Sequence, residues 1–471
     1  MNPIRWTTPA RALLASALLT TTLWTLPLPA FAQSPTDGAR SQEEAVTMET
    51  ADKVTPSVVS IQVVVEMYDS GVKQRASGIG SGVIIDPEGH VLTNYHVAGR
   101  AKKMIVTMQN GEKIGATLVG ADPYTDLAVI RLHLDELKTT NLTWASLGDS
   151  DNVQTGQSCL AVGSPQGLKQ TVTKGIVSNS ERYFSGEYRL PTGERTGEFN
   201  TWIQTDATMN GGNSGAPLVN NRGEIIGINS RGYRGADGLG FAVPINVAKD
   251  VLTQILENGE VTRSWIGVEL QSTEDFEKFF GTDVGEGILV ASVVQDSPAD
   301  RAGLRTGDVM LAWNDAPTNA RFTPEVPDVR RMLAESPPGQ EVSMKVLRDG
   351  QQVALSVVPQ KLEPEIGEEF ECENWRCSVR GMTRFLALAR KMESVLGVLV
   401  IGVDGVGPAN DSKLRTGDVI VKLDGKPVVD LADFKTRYDA ALDAEKPMVM
   451  LAVRRGKSMS LIVIENDYSE D

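Results

Sequence analysis

The second half of this chain contains an internal repeat, which limits the possible folds more than any other feature of the sequence. The hexapeptide Leu304–Val309 recurs unchanged as Leu414–Val419, and a Pro-Ala pair lies upstream of each copy. A separation of about 110 residues is too long for a solenoid unit, so the repeat indicates a duplicated domain. We therefore expect two copies of one domain, preceded by a unit of a different kind.

The preceding unit has the texture of a β-rich domain. Short runs rich in β-branched residues, such as Val58–Val65 and Gly82–Ile85, are separated by turn signals such as Asp86–Gly89. Many short strands at regular spacing are typical of a barrel or sandwich. A helical stretch at about 245–257, which Asn258-Gly259 would end, closes the unit.

The first 32 residues have the features of an export signal. Arg5 and Arg11 give a positive start, residues 13–28 are mostly apolar, and Ala30-Phe31-Ala32 supplies a small-x-small cleavage pattern. We predict a cleavable signal peptide at 1–32 and a periplasmic protein without a stable membrane anchor. An uncleaved anchor is the alternative, but two prolines make this segment poorly suited to spanning a bilayer.

Residues 33–52 are polar and acidic, and we predict a flexible lead-in there, with room for a short helix before Thr55. The formal net charge of −15 argues against nucleic acid or an anionic membrane surface as a partner. With only three cysteines and three histidines, we predict neither a metal nor any other cofactor.

The cysteines themselves separate into two kinds. Cys159 lies in an apolar run and is predicted to be a buried, small hydrophobic residue. Cys372 and Cys377 lie in a polar, Glu-rich stretch, where they could form a small disulfide in an oxidising compartment. The alternative is a pair of free thiols.

Three segments carry residues suited to nucleophilic catalysis. They are Leu92–Val97 with His96, Asp122–Val129 with Asp126, and Asn210–Leu218 with Ser214. A serine hydroxyl needs a base to attack an amide, an imidazole can act as that base, and a carboxylate can orient the imidazole. Any one of these residues alone is more often structural. Their occurrence in this order within one β-rich domain favours catalysis.

We therefore predict Ser214 as nucleophile, His96 as general base and acid, and Asp126 as the orienting carboxylate. The backbone N–H groups of Gly212 and Ser214 would form the oxyanion hole. A lipase-type nucleophile elbow is excluded, because that motif needs glycine where this chain has Ala216.

These three motifs and the repeated hexapeptide resemble those of the HtrA/Deg family of serine proteases. The resemblance covers nearly all of the chain after residue 32. It implies a mostly β fold: a chymotrypsin-like double β-barrel protease domain at 53–258, followed by two α+β PDZ domains at 262–361 and 379–467. The Glu-rich segment 362–378 is interpreted as the linker between the two PDZ domains.

The resemblance also implies an activity and partners. An ATP-independent serine endopeptidase that degrades unfolded or damaged envelope proteins is expected, with possible chaperone activity. Its partners would be unfolded polypeptides and peptide C-termini, and the chain would form a trimer or a multiple of trimers. Two other readings remain open: a chaperone or scaffold with little proteolysis, and a site-specific regulatory protease of envelope stress signalling.

The family's binding residues transfer to specific positions. The loop Trp265, Ile266, Gly267 and Val268 matches the carboxylate-binding loop of a PDZ domain, where a bound peptide adds as a strand. The corresponding loop of the second PDZ domain is expected near Arg380–Thr383.

Substrate preference is predicted from the protease domain. The resemblance suggests small aliphatic P1 residues, with Thr208 and Ile228 at the pocket. Two positions depart from relatives. Ala216 stands where the family usually has glycine, which matters only if that residue needs a positive φ. Asn213 stands where digestive relatives have aspartate, so we expect no activation by N-terminal clipping.

Overall fold

A computed structural model describes residues 41–466 and 468, with gaps at 140, 165–170, 185–187, 191–192, 233–237, 275–285 and 393. The described residues form two β-barrels followed by two smaller sheet domains. The predicted signal peptide at 1–32 and the first part of the lead-in, 33–40, lie outside the described residues. Within the described ranges, no helix is long and apolar enough to cross a membrane.

The remainder of the lead-in is a packed helix, α1 (Gln42–Val54). Ser41 caps its N-terminus, because the side chain accepts a hydrogen bond from the first turn. Thr50 donates a hydrogen bond to the backbone carbonyl of Asn221 at 2.9 Å, and Val54 is buried in the core of the domain. The short helix that the sequence allowed before Thr55 is therefore present, and from residue 42 onward it is packed on the domain rather than flexible. Most of the helix surface is polar, which hides its few anchoring residues in the sequence.

The first barrel follows this helix. Its strands are β1 (Val58–Asp69), β2 (Val72–Ile84), β3 (His90–Thr93), β4 (Ala101–Thr107), β5 (Lys113–Asp122) and β6 (Leu127–Leu132). They close in the order β1-β2-β3-β6-β5-β4. A single-turn helix, α2 (Tyr95–Ala98), follows β3. Fully buried side chains such as Ile61, Ile84 and Ile130 fill the interior, as alternation along closed strands requires.

The second barrel is formed by the next part of the chain. Its sheet contains β7 (Ser146–Leu147), β8 (Ser158–Gly163), β9 (Thr171–Arg182), β12 (Trp202–Thr205), β13 (Pro217–Asn220), β14 (Glu224–Gly232) and β15 (Gly240–Pro244). Between β9 and β12 in the sequence, β10 (Tyr188–Arg189) and β11 (Arg195–Thr196) form a separate two-stranded sheet. The order β13-β8-β9-β12-β15-β14 closes because β13 also pairs with β14. Cys159 is buried as predicted, and burial raises the pKa of its thiol to about 11.

Helix α3 (Ile245–Asn258) ends the double-barrel unit. It stops at Gly259, which adopts the left-handed conformation common just after a helix. Val251 and Ile255 of this helix are buried in a core that also contains Leu92 of the first barrel and Val243 of the second. The helix and both barrels therefore share one apolar core, which fixes the crevice between the barrels.

The two repeats fold into similar sheet domains. The first contains β16 (Ser264–Trp265), β17 (Val268–Gln271), β18 (Ile288–Val293), β19 (Val309–Trp313), β20 (Ala316–Pro317), β21 (Val342–Arg348), β22 (Gln351–Val357) and β23 (Gln360–Lys361), with helices α4 (Pro298–Arg301) and α5 (Val326–Ala334). Its main sheet has the order β17-β18-β19-β21-β22.

The second contains β24 (Glu369–Cys372), β25 (Cys377–Gly381), β26 (Val398–Val403), β27 (Val419–Leu423), β28 (Lys426–Pro427), β29 (Met448–Arg455) and β30 (Ser458–Glu465), with helices α6 (Arg384–Ala389), α7 (Pro408–Asp411) and α8 (Leu431–Asp443). Its sheet has the order β24-β25-β26-β27-β29-β30. Short 3₁₀ turns elsewhere in the chain lie at Thr55–Ser57, Leu134–Glu136 and Thr323–Glu325.

The repeated hexapeptide has the same role in both domains. Its buried aspartate, Asp308 or Asp418, pairs with Arg348 at 2.6 Å or with Arg455 at 2.7 Å. In each copy the preceding glycine has a positive φ and donates its N–H to the neighbouring strand. A tight turn and a charge-assisted pair therefore account for the identity of the two copies.

The predicted linker does not extend over all of 362–378. Residues 369–372 are β24, and Cys377 begins β25, so both belong to the sheet of the second domain. Cys372 and Cys377 lie opposite each other in this hairpin as buried free thiols, and burial raises the pKa of the Cys372 thiol. The disulfide that the sequence allowed is not formed. The glutamates that suggested a linker alternate with inward-facing residues, which is a strand pattern.

Candidate active site

The crevice between the barrels brings two predicted residues of the first barrel into contact. His96 lies on α2, and Asp126 lies in the turn between β5 and β6. His96 Nδ1 is 2.9 Å from both carboxylate oxygens of Asp126, and the backbone N–H of His96 donates to Asp126 Oδ1 at 3.1 Å. Asp126 is fully buried, whereas 17% of the His96 side chain is exposed. A buried carboxylate thus holds one ring nitrogen and leaves the other side of the imidazole accessible.

Asp126 adopts an unusual backbone conformation, with φ of 58°. Residues other than glycine rarely occupy this left-handed region, and such strain concentrates at functional sites. The conformation is supported by Asn94, whose side-chain amide donates to the backbone carbonyl of Asp126 at 2.9 Å. The strained turn aims the carboxylate at the imidazole.

The charge of Asp126 controls the protonation of His96. Burial of the imidazole favours its neutral form, but the carboxylate charge and its hydrogen bond to Nδ1 outweigh burial. The pKa of His96 is therefore raised above its ordinary value. The imidazolium form, which arises when a base accepts a proton, is stabilised here.

Ser214 enters the crevice from the second barrel, just before β13. Its hydroxyl donates to the backbone carbonyl of Ser230 at 3.2 Å. Within the described residues, no hydrogen bond joins Ser214 to His96. Catalytic hydrogen bonds are often loose or misaligned in the absence of substrate, so this geometry is compatible with a resting site.

Ser230, on β14, was not found by the sequence reasoning. Its hydroxyl donates to Asp126 Oδ2 at 2.5 Å, while its carbonyl accepts from Ser214. One residue thus contacts both the buried carboxylate and the hydroxyl of the predicted nucleophile. It lies in a continuous strand-like run without any motif, so no local pattern pointed to it.

The backbone around Ser214 is tightly constrained. Gly212 and Gly215 have φ of 100° and 84°. A side chain at Gly215 would place its Cβ 2.1 Å from the carbonyl oxygen of Ser81, so only glycine fits. Ala216 is fully buried and does not adopt a positive φ, so the extra methyl group is accommodated.

The two predicted pocket residues lie in different environments. Thr208 is exposed, and its carbonyl accepts a hydrogen bond from Thr173 at 3.0 Å. Ile228 is fully buried in the shared core of the two barrels. The assignment of Thr208 and Ile228 to the substrate pocket therefore stays a prediction.

The predicted carboxylate-binding loop borders a cleft of about 590 Å³. Residues 264–270 form one wall, and Leu333 of α5 lies on another. Within the described residues, the N–H groups of Ile266 and Gly267 make no hydrogen bond. Two unpaired backbone donors beside an open strand edge are suited to an anionic group such as a carboxylate.

The corresponding loop of the second repeat is not at Arg380–Thr383. Ala409 N donates to Trp375 O, as Ala299 N donates to Ile266 O in the first repeat. The equivalent loop therefore ends at Trp375-Arg376, before β25. Arg376 stands in the place of a glycine, with φ of 54°, which is why the motif could not be recognised.

Over the described part of the chain, the remaining histidines and the acidic residues do not indicate a second catalytic or metal-binding site. His90 Nδ1 is 2.6 Å from the carboxylate of Asp86 in the turn before β3, and His133 pairs with Glu136 on the surface. Among the described residues, no group of three or more His, Cys, Asp or Glu side chains is arranged to hold a metal ion.

Comparisons with known proteins agree with this geometry. The trypsin-like peptidase domain family matches residues 80–228, and the PDZ domain family matches 264–358 and 364–465. The chain is 36% identical over 400 residues to a probable periplasmic serine endoprotease, DegP-like, of Ectopseudomonas mendocina (strain ymp), covering 82% of this chain and 80% of that protein. It is 34% identical over 401 residues to the protein of the same name from Pseudomonas savastanoi pv. phaseolicola, covering 82% and 79%.

Solved structures give the same result. The HtrA-type protease AlgW with a tripeptide is 36% identical, with a TM-score of 0.57, covering 68% of this chain and 98% of that one. AlgW with a decapeptide is 35% identical, with a TM-score of 0.55, covering 68% and 99%. The predicted fold class, a double β-barrel peptidase followed by two PDZ domains, is confirmed.

Proposed function

The chain belongs to the HtrA-type, DegP-like family of serine endoproteases, and on that premise we propose that His96, Asp126 and Ser214 are its catalytic triad. The observation that carries this proposal is the buried Asp126 carboxylate, which holds His96 Nδ1 at 2.9 Å beside the crevice that Ser214 enters. A buried carboxylate paired with a partly exposed imidazole is the arrangement that a general base needs.

The steps of peptide hydrolysis follow from these positions. Ser214 rotates from the carbonyl of Ser230 toward His96, which accepts its proton as the hydroxyl attacks the scissile carbonyl carbon. The N–H groups of Gly212 and Ser214 stabilise the resulting oxyanion. His96 then returns the proton to the leaving amine, and water repeats the sequence on the acyl-enzyme. Asp126 stabilises the imidazolium throughout.

We further propose the setting of this activity. The substrates are unfolded or damaged envelope proteins in the periplasm. The cleavable signal peptide at 1–32 exports the chain to that compartment. The first PDZ domain binds peptide C-termini at the loop 265–268, whose unpaired N–H groups support this assignment. The working assembly is a trimer or a multiple of trimers, which light scattering would test by its mass.

Casein cleavage tests the proposed triad. The mature chain should degrade unfolded casein, and Ser214→Ala should reduce turnover by roughly a millionfold, as loss of the nucleophile does in subtilisin. Equal cleavage by both proteins would refute the assignment of Ser214. If neither protein cleaves but both suppress aggregation of an unfolded substrate, a chaperone function replaces proteolysis as the main role. Cleavage of only one folded envelope protein would instead support a regulatory protease.

A further inference from the structure

The two PDZ domains differ at the sheet edge that would receive a peptide. In the first domain, β17 pairs with β18 on one side, and within the described residues no strand pairs with its other side. In the second domain, the equivalent strand β25 pairs with β26 on one side and with β24 on the other. A peptide that adds as a strand needs a free sheet edge, so this difference in pairing decides whether each domain can receive one.

Strand β24 runs in the direction that a bound C-terminal peptide would take. It is antiparallel to β25, with Glu369 opposite Arg380 and Cys372 opposite Cys377. Its C-terminal end therefore lies beside the loop that ends at Arg376. In the first domain, the carboxylate-binding loop lies at the same end of the equivalent strand, where it leads into β17.

Side chains of β24 also fill the groove between β25 and α8. The ring of Phe370 lies edge-on against Tyr438 of α8, with centroids 5.7 Å apart. Lys435, one turn earlier on α8, lies 5.2 Å from the centre of the Phe370 ring. Cys372 is completely buried in the same core. The apolar positions of β24 thus occupy the space that side chains of a ligand would need.

In the second domain, backbone N–H groups of the corresponding loop are already hydrogen-bonded to groups of the same domain. The N–H of Arg376, equivalent to the unpaired N–H of Gly267, donates to the carbonyl of Glu373 at 3.0 Å. The N–H of Asn374 donates to the hydroxyl of Tyr438 at 3.0 Å. The hairpin turn therefore places a backbone carbonyl where a terminal carboxylate would bind.

From the paired edge, the filled groove and the occupied donor, we infer that the second PDZ domain carries its own ligand, residues 369–372, and takes no peptide C-terminus. The chain then has one peptide receptor, the first PDZ domain, and this part of the inference rests on the proposed function.

Binding stoichiometry tests the number of receptors. Isothermal titration of full-length Ser214→Ala, which cannot cut the probe, uses a decapeptide ending in three hydrophobic residues. The same peptide with an amidated C-terminus is the control. We expect one site per chain for the free acid, and loss of that binding in the double variant with Gly267→Ala. A Cβ at Gly267 would lie 2.3 Å from Ser297 Cβ, so the loop cannot keep its shape. Two sites per chain, or binding that survives Gly267→Ala, would overturn the inference.

Hydrogen exchange keeps the inference testable if the peptide does not bind at all. That result would refute the proposed function of the first domain, while the state of the second groove can still be measured. We expect the amides of β24 to be protected to the same degree as those of β25, with and without peptide. Amides in 369–372 that exchange as rapidly as an unstructured segment would show an open groove and overturn the inference.

Discussion

Asp126 concentrates most of the site's constraints in a single residue. Its fully buried carboxylate accepts hydrogen bonds from the ring and backbone of His96 and from the hydroxyl of Ser230. A buried charge is costly unless it is paired and hydrogen-bonded, and each of these donors reduces that cost. The residue also maintains a left-handed backbone. Any change at this position therefore acts on geometry and electrostatics together.

The raised pKa of His96 predicts the acid limb of activity. The base must be neutral, so kcat/KM for a peptide substrate should fall on acidification with a midpoint above the ordinary histidine pKa of about 6.5. In Asp126→Asn the charge is lost and burial alone remains, so the midpoint should move below that value. Turnover should also fall by about 10⁴-fold, as for the same change in trypsin.

A matched control exists in the same chain. Asp86→Asn removes the carboxylate of the other close His–Asp pair, that with His90, which lies outside the crevice. It should leave the midpoint unchanged. A wild-type midpoint at or below 6.5, or equal shifts in both variants, would contradict the assignment of Asp126.

At this scale the sequence predicted the motif residues but not their surroundings. His96, Asp126 and Ser214 stand in recognisable motifs, and the structure brings them to one crevice. Ser230 was missed because its role depends on a strand distant in sequence. The environment of Ile228 could not be read from the sequence either, because the direction of a side chain depends on strand register, which composition does not reveal.

Among the elements, helix α1 shows how a few contacts can order a polar segment. Val54 is buried in the shared core, and Thr50 anchors the helix to the turn before β14. Most of the helix surface remains polar and faces solvent. Its stability therefore depends on these contacts more than on any amphipathic pattern.

Truncation of Val54 should measure that dependence. Val54→Ala removes two methyl groups from the core and should cost about 2 kcal/mol. Scanning calorimetry should then show a melting temperature of the double-barrel domain lower by roughly 4–8 °C. Met48→Ala, at an exposed position on the same helix, is the control and should change little. Equal melting temperatures for all three proteins would mean that the helix is not packed as described.

Strand β24 was mistaken for a linker for a related reason. Four glutamates within 368–373 give it a charged composition, although Phe370 and Cys372 alternate with them toward the core. The glutamates on the other face bind the protease domain: Glu369 pairs with Arg100 at 3.0 Å, and Glu371 accepts from the backbone N–H of Lys73 at 2.9 Å. By contrast, the repeated hexapeptide predicted the duplicated domain correctly, because an identical turn needs identical residues.

In the whole molecule, the second PDZ domain is packed against the first barrel at the β1–β2 hairpin. Gly71 in the hairpin turn meets Gly402 of β26 with their backbones in contact. Close to this contact, Arg100 of the first barrel pairs with Glu369 of the second PDZ domain. Arg100 lies only four residues after His96 in the sequence. The second domain is thus held against the first barrel by this glycine contact, the Arg100–Glu369 ion pair and the Lys73–Glu371 hydrogen bond.

A methyl group at this contact should separate the domains. In Gly402→Ala, the new Cβ would lie 2.3 Å from the backbone nitrogen of Gly71, so the second PDZ domain must move away. We expect a larger radius of gyration by small-angle X-ray scattering, with the unfolding transition of that domain unchanged. In Gly405→Ala, the control, the added Cβ meets no atom within 4 Å and the radius should not change. An unchanged radius in Gly402→Ala would show that the domains are not held at this contact.

A turn of only a few residues joins β24 to β25. This short connection determines how tightly a free peptide must bind to displace β24 from the groove of the second PDZ domain. A short tether keeps its ligand at an effective concentration of millimolar order, independent of how much protein the cell makes. A peptide present at micromolar concentration would have to bind about a thousandfold more tightly than the strand to displace half of it. Scarce ligands are therefore excluded by proximity, even where their intrinsic fit equals that of residues 369–372.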